Sequence, residues 1–419
     1  MSNFFGQYAT IRGPVWPSIL TTVNTEASVT ERITIENLYK IFGDEPQTAL
    51  RMLNAGASKN EVLAKTDHVV GLNNVSVRVP AGAIYMIMGL SGSGKSTLAR
   101  CINRLIEPTA GQILLDGEDI VKAGEDRLRE LRRTRISMVF QHFALLPNKS
   151  VVENVEFGLK LRGVGARERR RKAEEVLSVV GLSNWAHHLP DALSGGMRQR
   201  VGLARALATD ADVLIMDEAF SALDPLIRSE MQDELLRLQR VLKKTILFIT
   251  HDFQEALKLG TRIAIMADGA VVREGTPEDI VLNPNNDYVA AFTRDVDRSR
   301  LFDARSVMTA AAPLKVGATL AGAADVPQFV VDGSGRVVGV VNAAGATSGA
   351  PVKSVMSQNF ATVAENTKLS DIAGLYRPDR PIAVIDQQGT YLGQVDPLAI
   401  LTRIGAPASV PSQSATTGA

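Results

Sequence analysis

The sequence predicts an α/β fold built on a phosphate-binding loop, followed by a smaller α+β unit. Three observations carry this expectation. First, Gly89-Leu90-Ser91-Gly92-Ser93-Gly94-Lys95-Ser96-Thr97 fits G-x-x-x-x-G-K-[ST], and it lies between an apolar run, Ala83 to Met88, and a stretch with helical periodicity, Ser96 to Ile106. Second, Val213-Leu214-Ile215-Met216 and Thr245-Ile246-Leu247-Phe248-Ile249-Thr250 are continuous apolar runs, which suit parallel strands covered on both faces by helices. Third, the texture changes after Asp297: alanine, valine and glycine dominate, and two similar segments follow one another.

The loop's residue types explain its chemistry. Glycines let the backbone turn and come close, so successive N–H groups can point at an anion. The start of the following helix adds partial positive charge. Lys95 is expected to reach the β- and γ-phosphates of a nucleotide, and the Ser96 hydroxyl to hold Mg²⁺.

Taken in order, residues 1 to 31 read as an N-terminal extension without periodicity. Ile33 to Ile41 reads as a first strand closed by Gly43. Residues 44 to 66 interrupt with two short helices, the second opened by the capping box Ser58-Lys59-Asn60-Glu61. Val69 to Val79 alternates as a strand. Asp116-Gly117 marks a hairpin turn after Gln112 to Leu115. Arg127 to Arg135 reads as a charged helix and Ile136 to Phe140 as a strand. Gly163 to Gly181 is helical and basic at its start, but Glu168, Glu174 and Glu175 break the charge run and no aromatic interleaves, so a solvated face is expected rather than a nucleic-acid patch. Leu226 to Leu242 follows Pro225 as one long amphipathic helix. Arg262 to Arg273 is a hairpin turning at Asp268-Gly269.

The later pair of segments opens with Ser306-Val307-Met308-Thr309 and Ser354-Val355-Met356-Ser357, and each ends in two strands joined by a polar turn, Asp332 to Gly335 and Asp386 to Gly389. This weak repeat predicts a small regulatory domain of two halves. Residues 405 to 419 carry no charged side chain and are expected to be disordered.

Bulk properties agree with a two-domain globular chain. It has 419 residues, too many for one ordinary core; 45% are hydrophobic and 22% charged. The net charge of +1 gives no general reason to expect a nucleic-acid partner. No apolar run reaches the roughly 18 residues of a membrane span, and the N-terminus lacks the pattern of a secretory signal. The single cysteine, Cys101, is expected to be a packed thiol.

A second set of chemical groups follows the apolar runs. Met216 leads directly to Asp217 and Glu218. A carboxylate at a strand end beside the phosphate loop can hold Mg²⁺, and the next can orient or deprotonate an attacking water. Asp217 is therefore assigned to the metal and Glu218 to the base. His251, just past the next run, sits where a γ-phosphate sensor is needed.

With these residues in hand, the sequence resembles ATP-binding-cassette (ABC) ATPases, specifically transport subunits. Leu193-Ser194-Gly195-Gly196-Met197-Arg198-Gln199 matches that family's signature, Gln141 its Q-loop, Ser221-Ala222-Leu223-Asp224 its D-loop and His251 its switch histidine. The resemblance covers residues 32 to about 297. It implies a P-loop NTPase fold with a RecA-like core, an antiparallel β subdomain and an α-helical subdomain. It implies ATP and Mg²⁺ as cofactors, with Gly89, Ser91 to Thr97, Ser194, Gly195, Gly196 and Asp224 at the nucleotide, and Gln141 joining Ser96 and Asp217 at the metal. Glu218, His251, Gln141 and Lys95 become the catalytic set. Phe42, with Tyr39 as second choice, would stack on adenine. The signature helix would complete the ATP site of a second copy, so two chains would close over two ATP molecules. The segment through Asn154 and Phe157 would contact a membrane partner.

The segment 44 to 66, Phe143-Ala144-Leu145-Leu146-Pro147 and the run from Met216 to Arg228 resemble the ATPase subunits of glycine betaine/proline importers. That implies uptake of a quaternary amine such as glycine betaine, proline betaine or choline/proline. Implied partners are a second ATPase subunit, two transmembrane permease subunits and an extracytoplasmic substrate-binding protein, but no nucleic acid; the implied location is the cytoplasmic face of the membrane. Residues 298 to 404 resemble tandem CBS domains. Where nucleotide-binding modules of that type carry Ser or Thr and then Asp, this chain has Asn342 and Gly345, then Asp396 and Ala399. Two other readings are an importer ATPase for a different small solute and a soluble cassette ATPase acting on nucleic acid or ribosomes.

Overall fold

The computed structural model describes residues 30–140, 144–321, 326–342 and 348–405. The expectations for Gln141, Phe143, Gly345, residues 1–29 and the tail beyond Gly405 lie outside the described residues.

Strand β1 (Glu31–Phe42) is followed by helices α1 (Pro46–Asn54) and α2 (Lys59–Thr66), then β2 (Val69–Pro80). Ser58 and Glu61 form the expected reciprocal cap on α2. β3 (Ile84–Met88) leads through the phosphate loop to α3 (Lys95–Ile102). That helix stops four residues short of expectation. Arg104 adopts φ 54°, and Asn103 Oδ1 accepts from the Leu105 N–H, so the chain turns out of the helix well before Pro108. β4 (Ala110–Leu115) and β5 (Glu118–Asp119) form the expected hairpin, and α4 (Glu125–Thr134) precedes β6 (Ile136–Val139). Three helices come next: α5 (Val151–Leu161), α6 (Ala166–Val179) and α7 (Gly195–Ala208). Then follow β7 (Val213–Asp217), α8 (Pro225–Leu242), β8 (Thr245–Thr250), α9 (Phe253–Leu259), β9 (Arg262–Ala267), β10 (Ala270–Gly275), α10 (Pro277–Leu282), α11 (Asp287–Thr293) and α12 (Arg298–Leu301).

The central sheet has the order β10-β9-β3-β8-β7-β6, parallel except for β10. Every residue of β3, β7 and β8 is buried, which explains their unbroken apolar runs. Alternate side chains serve two cores. Tyr85, Ile87, Ile215, Leu247 and Ile249 pack with α3 against a second, antiparallel sheet of order β2-β1-β4-β5. Met86, Met88, Leu214, Met216 and Phe248 pack against Met231, Leu235 and Leu238 of α8 and Phe253, Ala256 and Leu259 of α9. Helices α5, α6 and α7 share their own core around Val155, Leu177 and Val201. The basic start of α6 is ion-paired: Arg169 and Arg170 with Glu156, Arg171 with Glu175, Lys172 with Glu168. Cys101 is buried, and burial pushes its thiol pKa up to about 12, so it is a packing residue. No described helix is long and apolar enough to cross a membrane.

The C-terminal region holds two related sheets. β12 (Leu314–Lys315) runs parallel to β13 (Gln328–Val331), which pairs antiparallel with β14 (Val337–Val341). After α13 (Val352–Val355), β15 (Ala361–Ala364) and α14 (Leu369–Leu375), β16 (Ile382–Ile385) repeats the pattern, parallel to β15 and antiparallel to β17 (Tyr391–Val395). The halves exchange edges: β11 (Met308–Thr309) joins β17 of the second half, and Ser357 bridges Val340 of the first. The two polar turns are alike. Asp332 accepts from the Ser334 and Arg336 N–H groups, and Asp386 from those of Gln388 and Thr390. The region ends in α15 (Pro397–Gly405).

Candidate active site

Sheet order brings three strand ends into a row. β8 lies between β3 and β7, with Met88 opposite Thr250 and Asp217 opposite Ile249. The phosphate loop, Glu218 and His251 therefore leave the same carboxyl edge, where ligands bind in open α/β sheets.

The loop's close approaches require glycine at two positions. Gly89 has φ 149°, and a Cβ there would stand 2.2 Å from the Met266 carbonyl oxygen; Gly94 has φ 101°, and its Cβ would stand 2.5 Å from the Gly71 oxygen. The loop is braced from outside. The Gly269 N–H donates to Ser93 O (3.1 Å), and the Tyr288 hydroxyl accepts from the Leu90 N–H and donates to Met266 O, both 3.2 Å. Lys95, the first residue of α3, is buried and its Nζ donates to Leu90 O across the loop (2.9 Å). Burial lowers its pKa, opposed by the carboxylates of Glu218 and Asp217.

Ser96 Oγ donates to Asp217 Oδ1 at 2.9 Å. Burial raises the Asp217 pKa, with the Ser96 hydroxyl acting against it. Glu218 has φ 47°, unusual for a glutamate. Its N–H donates to Ile249 O of β8 and its carbonyl accepts from the Ser221 N–H and hydroxyl, so one neighbouring strand and the following turn hold the strained backbone. Glu218 Oε2 lies 3.5 Å from Nδ1 of His251, whose side chain is exposed. Arg228 Nη2 donates to Leu223 O (3.1 Å) and its Nη1 reaches Asp252 (3.5 Å), tying the segment after Glu218 to the segment after His251.

A cleft of about 530 Å³ opens over these groups, lined by Ser91, Gly92, Gly94 to Thr97, Glu218 and Phe42. Tyr39 packs beside α1 and α2 and is not in the lining. Ser194 caps α7, accepting from the Met197 N–H, and Asp224 caps α8, accepting from the Ile227 N–H. Neither these residues nor Gly195 and Gly196 line the cleft of their own chain. Gly196 is pressed against Ile227, 2.6 Å from where its Cβ would be. Asn154 is not a contact surface, contrary to expectation. It is fully buried; its Oδ1 accepts from the Leu146 N–H and its Nδ2 donates to the carbonyls of Leu146, Lys149 and Ser150. Phe157 is exposed. Sequence reasoning also missed Tyr288, which meets the loop from 198 residues away, and the contribution of Lys59, Asn60 and Leu63 to the cleft wall.

A parallel sheet, a phosphate loop, a carboxylate pair two strands away on the same sheet edge and a helix capped by Ser194 together define a cassette-type P-loop nucleotide-binding protein. The ABC transporter family model matches residues 72–221. The glycine betaine transport ATP-binding protein OpuAA of Bacillus subtilis is 48% identical over 87% of this chain and 90% of its own length; the glycine betaine/proline betaine transport system ATP-binding protein ProV of Escherichia coli is 56% identical over 66% and 69%. This chain belongs to the ATP-binding subunits of ABC transporters, in the quaternary-amine uptake family, and such subunits are ATPases. Among solved structures, a dimeric ATP-binding cassette in a post-hydrolysis state, bound to ADP and Pi, is 32% identical with a TM-score of 0.51, covering 58% of this chain and 98% of that one.

Proposed function

We propose that this chain hydrolyses ATP to drive uptake of a quaternary amine such as glycine betaine, proline betaine or choline/proline, working as a pair of copies on the cytoplasmic face of two permease subunits fed by an extracytoplasmic binding protein. The observation that carries the reading is the division of the site. The cleft holds the phosphate loop, Glu218 and Phe42, while the Ser194 helix sits elsewhere on the same chain. A second copy facing the first can bring its Ser194 N–H groups to the γ-phosphate. The relatives named for glycine betaine transport, and one named for trimethylamine N-oxide transport (50% identical, 86% of its length), support the cargo class.

The chemistry follows from the residues. Backbone N–H groups of Gly92 to Ser96 and the Lys95 ammonium bind and orient the phosphates. Ser96 Oγ and Asp217 Oδ1 are hard oxygen donors 2.9 Å apart and fit Mg²⁺; when bound, the ion supplies charge neutralisation at the β- and γ-oxygens. Gln141 is the third group assigned to this ion. Glu218 orients the attacking water and accepts its proton, and His251 holds Glu218 and senses the γ-phosphate. Phe42 stacks on the adenine. Loss of the γ-phosphate removes the contact that holds the pair shut, so ATP shifts a two-state equilibrium.

Residues 298–404 fit a degenerate CBS-like regulatory pair, supported by the repeated parallel-then-antiparallel strands and their exchanged edges. Asp396 accepts from the Leu398 N–H and so caps α15. The test is to isolate the assembled complex and find which solute stimulates ATP turnover. Glycine betaine or a close quaternary amine is expected to do so; stimulation only by an unrelated solute, or co-purification with nucleic acid in place of membrane subunits, overturns the reading.

A further inference from the structure

One wall of the cleft carries no recognised motif. It is α2, in the segment between β1 and β2. This segment is firmly seated: Ala49, Leu53 and Val62 are buried with Ile41 and Val70 at the root of the β1–β2 hairpin. The capping box fixes the start of α2, and Asp67 ends it in a left-handed turn. His68 then fastens the return of the chain, accepting from the Glu45 N–H at Nε2 (3.2 Å), with Nδ1 2.6 Å from Thr66 O. Nδ1 therefore carries the proton, since a carbonyl can only accept.

Seated in this way, α2 presents Lys59, Asn60 and Leu63 to the cleft. Leu63 (45% exposed), Val69 (54%) and Phe42 (39%) are open apolar members of the cleft lining. Phe42 is held in place. Lys40 Nζ lies 4.9 Å from its ring centroid, and Gly71 makes room for it, since a Cβ there would come within 2.8 Å of Phe42 Cε2. The Asn60 side chain makes no hydrogen bond to a described residue. Apolar side chains left open beside a single amide suit a flat, polar-edged ring.

Taking the ATP site above as given, we propose that α2 is the second jaw of the nucleobase pocket: Leu63 covers the purine face that Phe42 does not, and Asn60 reads the base edge. An amide offers one donor and one acceptor side by side, matching the N6–H and N7 of adenine; guanine shows two acceptors there. The jaw thus favours adenine over guanine.

The test uses the full chain, with binding of ATP, GTP and inorganic tripolyphosphate, which has no base. Leu63→Ala is expected to raise the Kd for ATP about tenfold, the worth of roughly one partly buried aliphatic side chain, while the inhibition constant of tripolyphosphate stays unchanged. Asn60→Ala is expected to lower the ATP-over-GTP preference several-fold, again with tripolyphosphate unchanged. Both side chains are exposed, so folding is not at stake. Wild-type ATP affinity and preference in both variants, or an equal rise in the tripolyphosphate constant, overturns the proposal. Failure of tripolyphosphate to compete with ATP on the unmodified chain would instead overturn the phosphate-loop reading beneath it.

Discussion

Ser96 Oγ donates to Asp217 Oδ1 at 2.9 Å, joining residues 121 apart in the chain at the edge between the phosphate loop and β7. The bond orients the Ser96 hydroxyl and holds a buried carboxylate in register with it. Asp217→Asn keeps the shape but removes the charge and can turn a donor toward Ser96. The Mg²⁺ concentration needed for half-maximal ATP turnover is expected to rise roughly 10–100-fold, as for loss of a group that orients a metal ligand. Ser96→Ala is expected to do the same, and the double variant to cost no more than the worse single one, because the two act as a unit. A Mg²⁺ titration of turnover reads this directly; additive losses would separate the two roles.

Glu218 sits 3.5 Å from His251 with its backbone held at φ 47°. Glu218→Gln retains the size and hydrogen bonding of the side chain but cannot take a proton. Turnover is expected to fall at least roughly 10²–10⁴-fold, the range for a lost general base, while ATP binding survives. The same variant is expected to accumulate as an ATP-dependent dimer, measured by light scattering with saturating ATP and Mg²⁺. Wild-type hydrolysis would remove Glu218 from the base role; a strictly monomeric trapped state would remove the facing-pair arrangement.

Much of this was legible in the residues, for identifiable physical reasons. The strands β3, β7 and β8 are buried on both faces, so their unbroken apolar runs mark them and place Asp217, Glu218 and His251 at strand ends. Ser58-x-x-Glu61 predicts its own cap because the interaction is local. What failed was non-local or hidden by residue type. Tyr288 is one tyrosine on a short helix, and no spacing announces that its hydroxyl braces Leu90. The family resemblance alone places Asn154 in a partner-facing segment, and its residue type gives no sign that it instead closes the turn from Leu146 to Ser150 from inside. The end of α3 at Ile102 rests on Arg104 entering the left-handed region, with its guanidinium donating to Ile120 O and Ala123 O, contacts made far along the chain. Exposed Leu63 carried a signal that was available but unread: an apolar residue on the open side of a polar helix.

Glu255 offers a test of the core that lies apart from the chemistry. It is buried in α9, accepts from Gln232 Nε2 (3.1 Å), and burial holds its carboxyl above the ordinary value of 4.5. A carboxyl with a raised pKa in the fold binds more protons folded than unfolded over the window above that ordinary value. Stability must then fall as pH rises through the window, because ionising the buried group opposes folding. Glu255→Gln fills the same volume and cannot ionise, and its amide oxygen can still accept from Gln232. The variant is expected to gain stability relative to the unmodified chain as pH rises above about 4.5, and to lose that advantage at lower pH, where both side chains are neutral. Denaturant midpoints measured from acid to neutral pH give the comparison. A difference between the two chains that does not change with pH would mean that Glu255 is solvated well enough in the fold to ionise as it does in water.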